Sequence, residues 1–221
     1  MTQNQVPLLQ WSLVVPVKVL ARAKTRMAEA AGPHRQALAL AVATDTVAAL
    51  LACERVRHVI VVTDDPAPAA ELSALGAMIV PDEPDAGLNP ALIHGAARIR
   101  ETAPGYGVGA ISADLPALRP GELARVLDAA ARFPEAFVPD AAGTGTTLYT
   151  ARPAVPFRPA FGPLSRAAHR DRGARELLLD DIASVRQDVD TLEDLQAALT
   201  LGTGPRTARV AARLPAIRNI A

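Results

Sequence analysis

Aromatic residues are scarce: four phenylalanines, two tyrosines and one tryptophan stand in 221 positions. So few rings offer little as a stacking platform for single-stranded nucleic acid. Cys53 is the only cysteine, which excludes an intrachain disulfide framework and any multi-cysteine metal site. It ends an apolar helical run and reads as a buried structural thiol. Net charge is absent too, since 23 basic and 23 acidic residues cancel. That balance points neither to nucleic acid nor to an acidic disordered tail. No stretch of about 18 apolar residues is free of charge or turn signals, so no membrane span is expected. Residues 1–10 lack the lysine or arginine of a signal peptide's start, and a cytoplasmic location is the expectation. There is no Walker motif, no nucleophile elbow and no dinucleotide glycine fingerprint. His34, His58 and His94 have no metal-ligand spacing.

What the chain does have is a large apolar fraction, half of its residues, enough to bury a sizeable core. Apolar runs alternate with helical patterns. Strands are predicted at 11–17, 58–63, 77–80, 108–113, 136–139, 146–151 and near 185–189. Between them, helices are predicted at 34–52, near 67–75, at 89–100, from Pro120, from about Arg166 and from Thr191. Asn89 reads as an N-cap, with Pro90 at the first helical position. Strand–helix alternation with short loops predicts a mostly parallel sheet covered on both faces. One domain is expected over 11–202, with 1–10 and the weakly patterned 203–221 as terminal extensions.

In such sheets ligands bind at the carboxyl ends of the strands. Lys18, Arg22, Lys24 and Arg26 follow the first strand, and Lys18 and Lys24 are the chain's only lysines. A loop of this kind can clamp a polyphosphate, through planar guanidinium forks and compact ammonium charges. A solvated surface loop is the alternative at about even weight. Asp82, Asp85, Gly87 and Asn89 follow the third strand, and Asp114 ends the fourth. A carboxylate there can bind Mg²⁺ shared with substrate phosphates, or can simply cap a turn. Asp188 and Asp190 form an Asp-Val-Asp pair at a predicted strand end, where alternation would put both on one face, unless Asp190 or Thr191 caps the last helix. Ser165 opens a predicted helix and is either its cap or part of an anion site. His169, among arginines, reads as a surface residue or a phosphate neighbour.

Several short segments, taken in order, resemble the guanylyltransferases of coenzyme F420 biosynthesis, which act on 2-phospho-L-lactate or, in bacteria, phosphoenolpyruvate. They are Val15–Lys18 with Ala23–Met27, Gly87–Asn89, Asp114–Leu118, Gly143–Thr147, Phe161–Pro163 with Ser165 and His169, and Asp188–Thr191 with Glu193–Leu195. The resemblance implies an α/β nucleotidyltransferase fold of the sugar-phosphate, Rossmann-like type, a three-layer sandwich on a mixed, mostly parallel sheet. It implies Mg²⁺ on Asp114, Asp188 and Asp190, and an acceptor held by Thr146, Gly162 and Ser165. The phosphate loop would supply Lys18, Lys24 and Arg26 to catalysis, with Arg22 and Gly87 toward the nucleotide. Asn89 would face guanine or ribose if it is not a helix cap. The glycines that usually accompany such a loop are missing here, and Leu164 and Ala167 replace polar residues expected around the serine.

The activity implied is transfer of GMP from GTP to phosphoenolpyruvate. The same reaction on 2-phospho-L-lactate or 3-phosphoglycerate is the alternative. Transfer to a sugar phosphate or a molybdenum cofactor, and a non-catalytic nucleotide-binding module, are the other readings. The partners expected are GTP and a small phosphorylated carboxylate, without nucleic acid or membrane, and with a homodimer left open.

Overall fold

Trp11–Pro16 forms strand β1, and Trp11, Leu13, Val14 and Val15 are all fully buried. A strand buried on both faces belongs in the middle of a sheet covered by helices. A computed structural model describes residues 8–20, 24, 27–83 and 85–218. After β1 come α1 (Ala28–Ala31), a 3-10 turn at Gly32–His34, α2 (Arg35–Leu51), β2 (Val56–Val62), α3 (Pro66–Ala74), β3 (Met78–Val80), α4 (Leu88–Thr102), β4 (Gly107–Ile111) and α5 (Pro120–Ala130). The second half runs through β5 (Glu135–Pro139), β6 (Thr146–Ala151), α6 (Ser165–Asp171), β7 (Arg175–Glu176), α7 (Ala183–Arg186), α8 (Leu192–Leu201), α9 (Pro205–Ala211) and α10 (Pro215–Arg218).

The strands form one seven-stranded sheet in the order β3-β2-β1-β4-β6-β5-β7. β6 runs antiparallel to both of its neighbours, and the other pairings are parallel. Leu13 and Val15 point to one face, against Val47 and Leu50 of α2, Leu72 of α3 and Leu123 and Leu127 of α5. Val14 points to the other, against Leu92, Ala96 and Ile99 of α4. The result is the expected three-layer α/β sandwich. The chain steps from β1 outward to β2 and β3, then returns to place β4 on the other side of β1. The carboxyl ends of β1 and β4 therefore flank a switch point, where open sheets of this kind leave a crevice.

One strand expectation is corrected. The seventh strand is not at 185–189 but at Arg175–Glu176, pairing with β5. Val185 and Val189 are fully buried, which produced the apolar pattern, but Val185 lies on α7 and Val189 in the loop beyond it. The segment after Gly202, expected as a terminal extension, carries α9 and α10. The Asp45 carboxylate accepts hydrogen bonds from Arg206 N (3.3 Å) and Thr207 N (2.7 Å), capping α9 from a distant helix. Ala211 and Leu214 then join Leu38 and Val42 of α2 and Leu195 of α8 in a third apolar cluster. That cap comes from residue 45, so no local pattern announces it. Among the described residues no helix is long and apolar enough to cross a membrane.

Candidate active site

A cleft of about 400 Å³ opens at the switch point. Pro16, Val17, Lys18 and Leu20 line it from the end of β1, Ser112, Ala113 and Asp114 from the end of β4, and Leu88 from the start of α4. Lys24 and Asp190 complete the charged part of the wall. Lys18 is exposed, whereas the Lys24 side chain is only 9 % exposed. The Lys24 ammonium lies 2.8 Å from Asp114 Oδ2 and 3.5 Å from Asp190 Oδ1, and donates to the Val189 carbonyl. Burial alone would lower its pKa, but Asp114, Asp190 and Asp188 outweigh that and hold it above the usual lysine value. The backbone of Lys24 has φ of 51°, a left-handed conformation that costs a non-glycine residue energy.

The opposite charges are in excess. Burial, then Asp114, Asp140 and Asp190, push the Asp188 carboxyl up to about 7. Asp114 Oδ1 is buried with no hydrogen-bond partner. Crowded carboxylates with an unpartnered oxygen suit a hard cation that seeks oxygen ligands. Among the described residues no three side chains are already gathered as a metal cage. The Lys24 ammonium is the cation that Asp114 and Asp190 now bracket. Asp188 and Asp190 reach this place from the loop between α7 and α8, tied to β4 by the Val189 N–H to Asp114 carbonyl bond (3.0 Å). Thr191, not Asp190, caps α8: its hydroxyl and the Asp194 carboxylate form a reciprocal capping box. That leaves the Asp190 carboxylate turned toward Lys24.

β6 enters the sheet beside β4 at this same edge, because it runs antiparallel. Ser112 N donates to Thr147 O at 2.9 Å, which brings Thr146 next to the end of β4. The turn before it is built by Asp140, whose carboxylate accepts from Thr144 N (2.9 Å) and Gly145 N (2.8 Å). A Cβ on Gly145 would stand 2.4 Å from Asp140 Oδ2, so only glycine permits this grip. Ser165 is buried at the first position of α6; the N-cap is Leu164, at φ 57°, and makes no side-chain cap. The serine is therefore not the cap of its helix. Gly162 is exposed, at φ 141°, where a side chain would be strained.

Asn89 and His169 are placed otherwise than their sequence suggests. Gly87, at φ 103°, is the N-cap of α4, and Asn89 lies inside the helix. Its amide is spent on one distant residue: Asn89 Nδ2 donates to Phe161 O (2.9 Å) and Phe161 N donates to Asn89 Oδ1 (2.8 Å). His169 is 1 % exposed and not on the surface. Burial, the largest cause, lowers its pKa to about 4; a hydrogen bond to the Ser165 backbone opposes this, and Arg172 adds a smaller lowering effect. Its arginine neighbours in sequence hid this. Phe137 and Tyr149, distant in sequence, and Phe161 from the loop before α6 surround the ring. Asp140 was also missed, since a carboxylate before Gly-Thr-Gly reads as an ordinary turn. Arg22 and Arg26 lie outside the described residues.

Comparison with known proteins agrees with this architecture. The family described as Guanylyl transferase CofC like matches residues 11–214. The phosphoenolpyruvate guanylyltransferase of Thermomonospora curvata is 72 % identical over 208 residues, covering 94 % of this chain and 91 % of that one. The enzyme of the same name from Streptomyces coelicolor is 62 % identical over 207 residues, covering 93 % and 98 %. Among solved structures, a nucleotidyl transferase from Methanothermobacter superposes with a TM-score of 0.56 at 19 % identity, over 87 % of this chain and 97 % of that one, a likeness of fold. On the family match and these identities, the chain belongs to the CofC-like guanylyl transferase family and is a nucleotidyltransferase.

Proposed function

We propose that the protein transfers GMP from GTP to phosphoenolpyruvate, giving enolpyruvyl-diphospho-guanosine and pyrophosphate, and that this serves coenzyme F420 biosynthesis. The names of the T. curvata and S. coelicolor relatives support the acceptor. One observation carries the mechanism. The carboxylate cluster stands at the end of β4, between the lysine-lined cleft over β1 and the Thr146 turn over β6. That order supports a reading in which a triphosphate and an acceptor lie on either side of the charges that mediate between them.

In this reading an oxygen of the acceptor's phosphate attacks the α-phosphorus of GTP. The bond to the β-phosphate breaks in line, and pyrophosphate carries the electron pair away. The acceptor oxygen is already ionised, so no protein base is required and positioning dominates. Lys24, anchored by Asp114 and Asp190, and Lys18 at the cleft mouth neutralise the triphosphate and its leaving group. Arg22 and Arg26 belong to the same proposed clamp, and Gly87 turns the backbone into α4 beside it. Asp114, Asp188 and Asp190 would hold Mg²⁺, which when bound supplies charge neutralisation at phosphate oxygens. Thr146, Gly162 and Ser165 would hold the acceptor. Incubation with GTP, Mg²⁺ and phosphoenolpyruvate should yield the diphosphate adduct by mass spectrometry. A product only with 2-phospho-L-lactate or 3-phosphoglycerate would keep the chemistry and change the acceptor.

A further inference from the structure

We propose that His169 is a positioning residue for the acceptor, fixing the Thr146 hydroxyl and the 160–162 backbone as one unit. This rests on the reading of Thr146 and Gly162 as acceptor contacts.

The ring's two nitrogens are committed to two different segments. Ala160 N donates to Nε2 at 2.9 Å, so Nε2 carries no proton. In the neutral ring the proton is then on Nδ1, which lies 3.0 Å from Thr146 Oγ1 and donates to it, with the Ser165 backbone as a further acceptor at the ring. The threonine oxygen thereby receives a hydrogen bond, and its own proton is directed elsewhere. An anionic acceptor is the group that wants such a donor. His169 itself is sealed from the cleft, so it acts only through Thr146 and the loop.

The ring cannot turn to exchange these roles. Tyr149 stacks on it at 4.8 Å between centroids, Phe137 at 5.5 Å, and Phe161 meets it edge-on at 5.5 Å. Asn89 secures the next residue of the loop by its two hydrogen bonds to the Phe161 backbone. Ala160 and Phe161 are thus held from two sides, and Gly162 leaves the pair in a fixed direction. A core histidine satisfied by chance would need no such link between two segments that share a site.

The test is steady-state kinetics with GTP, Mg²⁺ and phosphoenolpyruvate for the unmodified protein and for His169→Phe, His169→Asn and His169→Gln. His169→Phe is expected to raise the acceptor KM about tenfold, the scale of one hydrogen bond, while the GTP KM stays within about twofold. The asparagine amide can still donate to Thr146 and should recover most of the acceptor affinity. The glutamine, whose amide takes the Nε2 position toward Ala160, should recover less. Should the phenylalanine variant not fold, the comparison of asparagine with glutamine carries the test. Equal acceptor KM values for those two, or KM values for GTP and acceptor that rise together, would overturn the inference alone. No turnover by the unmodified protein with any acceptor would overturn the reading of the site and the inference with it.

Discussion

The Lys24 ammonium sits 2.8 Å from Asp114 Oδ2, joining Lys24 beyond β1 to the end of β4 in the wall of the cleft. In the proposed reaction this pair sets a positive and a negative group beside the transferred phosphate. Replacing Asp114 by asparagine should leave the fold intact, since Lys24 keeps the Val189 carbonyl and Asp190. Turnover should fall about a hundredfold, the scale of losing one strong electrostatic contact. Circular dichroism and pyrophosphate release measure the two effects, and near-normal turnover would remove Asp114 from the reaction.

Chelation tests the cation requirement. With EDTA in excess, pyrophosphate release should stop and should return on adding Mg²⁺. Mg²⁺ alone should also raise the melting temperature of the unmodified protein, because it binds the folded carboxylate cluster and not the unfolded chain. No such rise with Asp188→Asn would assign the effect to this cluster; an equal rise would place the ion elsewhere.

Asn89 separates two roles that the sequence leaves open. Its amide is engaged by Phe161, so Asn89→Ala should weaken the acceptor by about tenfold or less and leave GTP nearly unaffected. A selective rise in the GTP KM would instead make Asn89 a nucleotide contact.

His169 gives a pH dependence of stability. Its folded pKa is about 4, against about 6.5 when unfolded. Between those values the unfolded chain binds a proton that the folded chain refuses, so acid favours unfolding. The contribution is complete above about pH 6.5 and shrinks by roughly 3 kcal/mol by pH 4. Denaturant melts at pH 7 and pH 4.5 should therefore converge for His169→Gln relative to the unmodified protein. An unchanged difference between the two proteins would contradict the neutral buried ring.

Asp45→Ala should cost roughly 1–2 kcal/mol by uncapping α9, with little effect on turnover at low temperature. A chemical melt checks it. Loss of activity without loss of stability would mean that the C-terminal helices act on the site and not only on the core.

The layers of the fold were legible because β1, β2 and β4 are nearly unbroken apolar runs and their helices carry period-3.6 patterns. The last long helix was legible from Thr191 on, but whether Asp190 or Thr191 caps it is decided only by the Thr191–Asp194 capping box of the structure. What was not legible depended on partners far away in sequence. Val185 and Val189 have a strand's composition yet sit on a helix and a loop, because burial sets composition and pairing sets the strand. The helix at Pro205 is fixed by Asp45. His169 looked exposed among arginines, and the aromatic box that buries it comes from β5, β6 and the 152–164 loop. At the site, the lysines, Asp114, Asp188 and Asp190 were found as charges at element ends. Asp140 was not, since its part is played through backbone N–H groups that any turn would offer.

Pyrophosphate release by the purified protein tests the central claim most directly. It should be followed with Mg²⁺ and GTP in the presence of phosphoenolpyruvate, 2-phospho-L-lactate, 3-phosphoglycerate or no acceptor. The predicted result is release with phosphoenolpyruvate well above the other three conditions. A folded protein that binds GTP and releases no pyrophosphate with any of them would contradict the account.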